Sequence, residues 1–215
     1  MTNRIAFQGA LGAYSDEACR SARPNMDPLP CQNFEQMIDA VRDGRADLAM
    51  VPVENSTYGR VADIHRLLPE SGLHIVDEAF TRVRISLMAN PGTKLEDVKS
   101  VRAHLVLLPQ ARRFLEQHNI EAVSAADSAG AAEELAKSPN PQSGVLASAI
   151  AADIYGLDIL AQDIEDNVHN TTRFLIMSRT PDDSRRGQGK IDRKSTRLNS
   201  QSQFRISYAV FCLKK

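Results

Sequence analysis

Residues 47–53 constrain the fold more than any other stretch of the chain. They form a nearly continuous apolar run, and four polar side chains follow at once: Glu54, Asn55, Ser56 and Thr57. A run without polar alternation reads as a strand covered on both faces, which belongs in a sheet packed between helices. The rest of the chain to about residue 179 repeats the theme. Strand-like segments are expected at 4–8, 73–80, 83–89, 100–103, 122–125, 144–147, 157–161 and 172–177. Helical segments are expected at 15–22, 34–43, 61–68, 110–118, 128–137 and 148–155. Asn33 with Gln36, and Thr93 with Glu96, have the spacing of capping boxes, and Gly44 closes the helix that Asn33 opens. Strand alternating with helix predicts an α/β protein with mostly parallel sheets.

Three segments concentrate polar chemistry at the ends of these strands. Gly9, Gly12, Tyr14 and Ser15 lie between a strand and a helix start, where glycines permit a tight turn and helix N–H groups favour an anion. The alternative is a plain turn with Ser15 as the helix cap. The segment lacks the third glycine of a dinucleotide fingerprint. Glu54, Asn55, Ser56 and Thr57 follow the buried strand, with Gly59 ending the turn. Open α/β sheets bind ligands at such strand ends, and uncharged donors and acceptors suit a carboxylate or hydroxyl; a polar turn is the alternative. Asn170, Thr171, Thr172, Arg173 and Phe174 form the third group, where Arg173 can grip a carboxylate with two N–H groups. The alternative there is a structural ion pair. His104 and Gln110, the latter just inside a helix that begins at Pro109, make a fourth and weaker group.

Composition excludes several classes. No apolar run reaches the roughly 20 residues of a membrane span, so no membrane partner is expected. The N-terminus has no secretory pattern, which leads to an expectation of cytoplasmic location. Acidic residues outnumber basic ones up to Arg179, which argues against a nucleic-acid partner. Cys19, Cys31 and Cys212 have no metal-type spacing, and the histidines form no ligand pattern, so no metal is expected. After Thr180 the composition turns basic and rich in Gly, Arg and Ser, a linker followed by a tail.

In order, these segments resemble the prephenate dehydratase family from Arg4 to about Arg179. The family opening, Gly-x-x-Gly, an aromatic residue and Ser/Thr, stands here as Gly9, Gly12, Tyr14 and Ser15. Its Pro-x-Glu-Asn-Ser-x-x-Gly signature stands as Pro52, Glu54, Asn55, Ser56 and Gly59, and its Asp-x-x-x-Asn-x-Thr-Arg-Phe signature as Asp166, Asn170, Thr172, Arg173 and Phe174. Ala147-Ser148 and Tyr155-Gly156-Leu157 also match. The segment around His104 and Gln110 departs from the family pattern at Ala103, Leu107 and Ala111, and Ser86 stands where many relatives carry histidine.

The resemblance implies two α/β lobes like those of type II periplasmic binding proteins, with the active site in the cleft between them. Lobe 1 would take residues 1–80 and 165–179, and lobe 2 residues 81–164. It implies decarboxylating dehydration of prephenate to phenylpyruvate without a cofactor, with arogenate as the related substrate and a non-catalytic binder of small anions as the rival reading. Thr172 would assist the leaving hydroxyl. Gly12, Tyr14, Ser15, Glu54, Asn55, Ser56, Gly59, His104, Gln110, Asn170, Thr171, Arg173 and Phe174 would contact substrate. Relatives continue into an ACT domain that binds phenylalanine. Its motifs are missing here, so no phenylalanine inhibition is expected, and a homodimer would lose contacts. The tail around 193–200 and 207–215 resembles translated sequencing-adapter DNA, and residues 180–215 are therefore expected to be a linker and a non-native disordered tail.

Overall fold

The structure is a computed structural model that describes residues 2–182; the expectations for the tail lie outside the described residues. In chain order the elements are β1 (Arg4–Gln8), α1 (Tyr14–Ala22), β2 (Asp27–Cys31), α2 (Phe34–Arg42), β3 (Leu48–Asn55), β4 (Gly59–Arg60), α3 (Ala62–Leu67), β5 (His74–Arg82), β6 (Ser86–Ala89), β7 (Ser100–His104), α4 (Arg112–His118), β8 (Glu121–Ala125), α5 (Ser128–Lys137), β9 (Ser143–Ala147), α6 (Ala149–Tyr155), β10 (Asp158–Ala161) and β11 (Thr171–Ser178). They build two sheets. The first has the order β2-β1-β3-β11-β5, with β4 turning back on β3, and the second β10-β6-β9-β7-β8.

Each sheet is sandwiched. Alternation along β1, β3 and β11 sends Ile5, Phe7, Met50, Phe174 and Ile176 toward α1, and Ala6, Val51, Val53, Leu175 and Met177 toward α2 and α3. In the second sheet Leu87, Val101, Ala103 and Leu146 pack with Leu115 of α4, while Val145 and Ala147 pack with Ala131 and Ala151 of α5 and α6. The apolar run read from residues 47–53 is covered on both faces, as its composition requires.

Several expectations need correction. The sheets are mixed rather than mostly parallel. β11 runs antiparallel to both β3 and β5, and β6 antiparallel to β9 and β10. β2 was not anticipated because Pro28 and Pro30 argue against a strand. It survives as an edge: the Asp27 amide bonds to Asn3 O and Cys31 O accepts from Gly9 N, so the alternate prolines face away from β1. Thr93 and Glu96 do not cap a helix; Leu95–Asp97 is a single 3₁₀ turn with no side-chain cap. The segment at Gln110 also opens as 3₁₀ (Leu108–Ala111) before α4, and the Gln110 carbonyl accepts from Asp166 N at 2.6 Å. At α2 Asn33 caps Gln36 N as expected, but the Gln36 side chain reaches Gln32 N instead of closing the box.

The chain leaves the first sheet after β5 and returns to it as β11. The two crossings are tied together by Glu165, whose side chain is 1% exposed. One of its oxygens accepts from Arg82 Nη2 at 3.0 Å and the other from Ile85 N at 2.9 Å, so the buried charge is paired.

Candidate active site

The end of β3 is shaped by its register with β11. Arg173 lies opposite Glu54 and Phe174 opposite Pro52, so Val53 is bulged out. Beyond the bulge Asn55 stands opposite Thr172. Asn55 Nδ2 donates to Thr172 Oγ1 at 3.0 Å and to Asn170 Oδ1 at 2.7 Å, while its Oδ1 accepts from the amides of Thr57 and Tyr58. Asn170 is 1% exposed, and its Nδ2 donates to Gln110 Oε1 from the second half of the molecule. Three of the predicted groups thus meet here: the Asn55 turn, the Asn170–Thr172 segment and Gln110. None of the hydrogen bonds made by these four side chains involves a charged group.

Ser56 stitches the turn to β11. Its amide donates to Thr171 O, its Oγ donates to His169 O, and that Oγ accepts from Thr171 N. Gly59 has φ +78 with open space beyond it and lets β4 turn back on β3 beside Glu54. His104 ends β7; its amide donates to Ser128 Oγ and its Nδ1 accepts from Val106 N.

The glycine turn of the first predicted segment is tied into the fold. The Gly12 amide is already taken by Asp16 Oδ2 at 2.9 Å, and its carbonyl accepts from Ser148 Oγ at 2.7 Å. Gly12 has φ +84, and a Cβ there would lie 2.9 Å from Ala151 Cα, so glycine lets the turn dock on α6. Tyr155 Oη adds a bond to Leu11 O. Tyr14 Oη donates to Arg84 O at 3.0 Å, in the crossing between the halves. Burial, reinforced by Glu17 and Glu165, pushes its ionisation well above the ordinary tyrosine range. Ser15 is not the helix cap: Ala13 holds that position and Ser15 lies within α1.

Arg173 and Phe174 also need correction. Along β11 the side chains alternate, so Thr172 and Arg173 take opposite faces. The Arg173 guanidinium pairs with Glu78 Oε2 at 2.7 and 3.0 Å and lies 6.0 Å from the Phe80 ring. Of the two alternatives weighed for it, the structure shows the ion pair. Phe174 is 1% exposed and packs with Ile5, Phe7 and Met50 as part of the core.

A family model described as prephenate dehydratase matches residues 5–182. The chain belongs to the prephenate dehydratase family. A relative from Komagataeibacter europaeus, named a bifunctional N-acyl-homoserine lactone acylase/prephenate dehydratase, is 51% identical over 82% of this chain and 63% of its own length. Arogenate dehydratase/prephenate dehydratase 1 of Arabidopsis thaliana is 44% identical over 83% of this chain and 45% of its own. A solved prephenate dehydratase from Arthrobacter aurescens, in complex with L-Phe, superposes with TM-score 0.76 at 30% identity, covering 83% of this chain and 62% of that one. The chain therefore spans less than two thirds of these relatives.

Against the family signatures, three contributors were missed in the sequence. Tyr58 sends its hydroxyl to Val106 O in the second half at 2.5 Å, Ser148 anchors Gly12, and Glu165 ties the crossings. Tyr58 and Ser148 lie within family-like stretches and were legible to that extent. Glu165 sits among Asp163, Asp166 and other polar residues and gives no local signal. Among the described residues no helix is long and apolar enough to cross a membrane, and no group of three or more His, Cys, Asp or Glu is placed to hold a metal ion.

Proposed function

We propose that this member of the prephenate dehydratase family converts prephenate to phenylpyruvate. The observation that carries the reading is the state of Thr172: its oxygen accepts from Asn55 Nδ2, so its own proton is left to be donated elsewhere. Prephenate loses carbon dioxide from one ring carbon and hydroxide from the opposite one. The electron pair of the breaking C–C bond enters the ring as it becomes aromatic, and the hydroxide leaves with one proton as water. Thr172 hydrogen-bonds the departing oxygen and passes on a proton that is replaced from solvent; a free threonine hydroxyl is too weak an acid to do more. The neutral cluster of Asn55, Asn170 and Gln110 behind Thr172 suits a site for a hydroxyl better than one for a carboxylate, because it sets oriented dipoles and no charge around that threonine.

The carboxylates are assigned to the polar groups around Thr172, with Ser15 and His104 as donors, in a cleft between the two halves. Residues 1–179 are the catalytic unit in this reading. The partner is a small dianion, and the buried free thiols of Cys19 and Cys31 fit a reducing compartment such as the cytoplasm. Arogenate is the second substrate to test, since the Arabidopsis relative is named for both. The purified protein, assayed without added metal or nucleotide, should form phenylpyruvate from prephenate faster than phenylalanine from arogenate. Tight binding of prephenate with no product would replace the enzyme reading by that of a small-anion binder.

A further inference from the structure

The side-chain amides beside Thr172 have their directions set from two independent ends. At one end the Thr57 and Tyr58 backbone N–H groups, which can only donate, both point at one atom of the Asn55 amide, at 2.9 and 3.0 Å. That atom must be the oxygen, so the Asn55 nitrogen faces Asn170 and Thr172. At the other end the Val106 carbonyl, which can only accept, lies 2.8 Å from the Gln110 amide, so that atom is Nε2 and the Gln110 oxygen faces Asn170. The two assignments meet at Asn170 and agree: it gives its N–H to Gln110 and its oxygen to Asn55. Tyr58 Oη donates to the same Val106 carbonyl, closing a ring through Asn55, Asn170, Gln110, Val106 and Tyr58. Val106 and Gln110 come from the half that holds the second sheet, so the ring is complete only when the halves are together.

Resting on the dehydratase reading of this site and extending it, we infer that Gln110 is a positioning residue which touches no substrate and acts on Thr172 through Asn170 and Asn55. Gln110 holds Asn170 in one sense. Turned over, Asn170 would set its N–H group against that of Asn55 and push Asn55 off Thr172. Held correctly, Asn55 donates to Thr172 Oγ1 and the threonine proton must point outward. A cooperative ring of this kind transmits a change at one member to the others.

The test is a kinetic cycle on the full chain. Gln110→Leu should lower kcat about 10-fold or more with KM within about twofold, the pattern of lost positioning. In the Thr172→Ala background the same change should cost less than about twofold, because the group it acts through is gone. A raised KM with kcat kept, or a full loss in the Thr172→Ala background, would overturn the inference in favour of direct substrate contact. Should Gln110→Leu fail to fold, the near-isosteric Gln110→Glu carries the test. Its carboxylate cannot donate to Val106 O, but its protonated form can, so its kcat relative to the native protein should rise as pH falls from about 8 to about 5. A flat ratio speaks against the ring. If the native protein turns over neither prephenate nor arogenate, the dehydratase reading fails on its own. The ring is then judged by NMR: the Asn55 and Asn170 side-chain N–H protons should exchange slowly in the native protein and rapidly in Gln110→Leu, and equal exchange in both sinks it.

Discussion

At the scale of single residues, two neighbours in one signature have different work. Thr172 faces Asn55, while Arg173, one residue on, faces Glu78 across the strand. Thr172→Ala should therefore lower kcat by about 10²-fold with KM nearly unchanged, the scale of a positioned proton-transfer group; steady-state kinetics on prephenate check it, and near-native kcat would remove Thr172 from the chemistry. Arg173→Leu should leave KM within about twofold, because its guanidinium is committed to the far face of the sheet; a KM rise of 10-fold or more would show that it reaches substrate. The motif was legible in the sequence, but this division of labour was not. The period of two already separates the two side chains, yet Glu78 is 95 residues away in sequence, and nothing local marks it as the partner of Arg173.

At the scale of elements, the glycine turn before α1 is a docking surface. A methyl at Gly12 would meet the backbone of Ala151 and also hold φ at +84, whereas Gly59, at φ +78, has open space around it. Gly12→Ala should cost about 1–3 kcal/mol from overpacking in addition to the backbone strain, and Gly59→Ala only the strain, about 1 kcal/mol. Thermal melts of the two variants side by side decide this, and equal losses would mean that α6 yields freely. The sequence announced elements with strong local signals. α5 spans Ser128–Lys137 as read, opened by Asp127, whose carboxylate accepts from Gly130 N. It hid those that exist only through tertiary contact. β2 is held by β1 in spite of its prolines, and the helical pattern at Gln110 begins as 3₁₀ because the Gln110 carbonyl bonds to Asp166.

At the scale of the whole molecule, buried acids set an alkaline limit. Burial raises the Cys19 thiol far above its ordinary 9.0 and Tyr14 well above 10.0. Both groups hold their protons longer folded than unfolded, so the unfolded state binds fewer protons above about pH 9 and stability falls as pH rises. Their contribution is fully present below that pH. Urea melts should show the midpoint dropping between about pH 9 and 11, and Tyr14→Phe should flatten the upper part of that drop; an unchanged slope would mean that Tyr14 ionises freely. The return of β11 to the first sheet has a consequence for how the protein is made. The strand that carries Thr172 fills the gap between β3 and β5 and, among the described elements, is the last to be synthesised. Until it emerges from the ribosome, both of those strands present unpaired inner edges, which invite pairing with another chain. The pairing that ends this exposure joins residues more than a hundred positions apart, such as Asn55 and Thr172, and contacts of that span are slow to form. The growing chain is therefore aggregation-prone until the two edges close on β11.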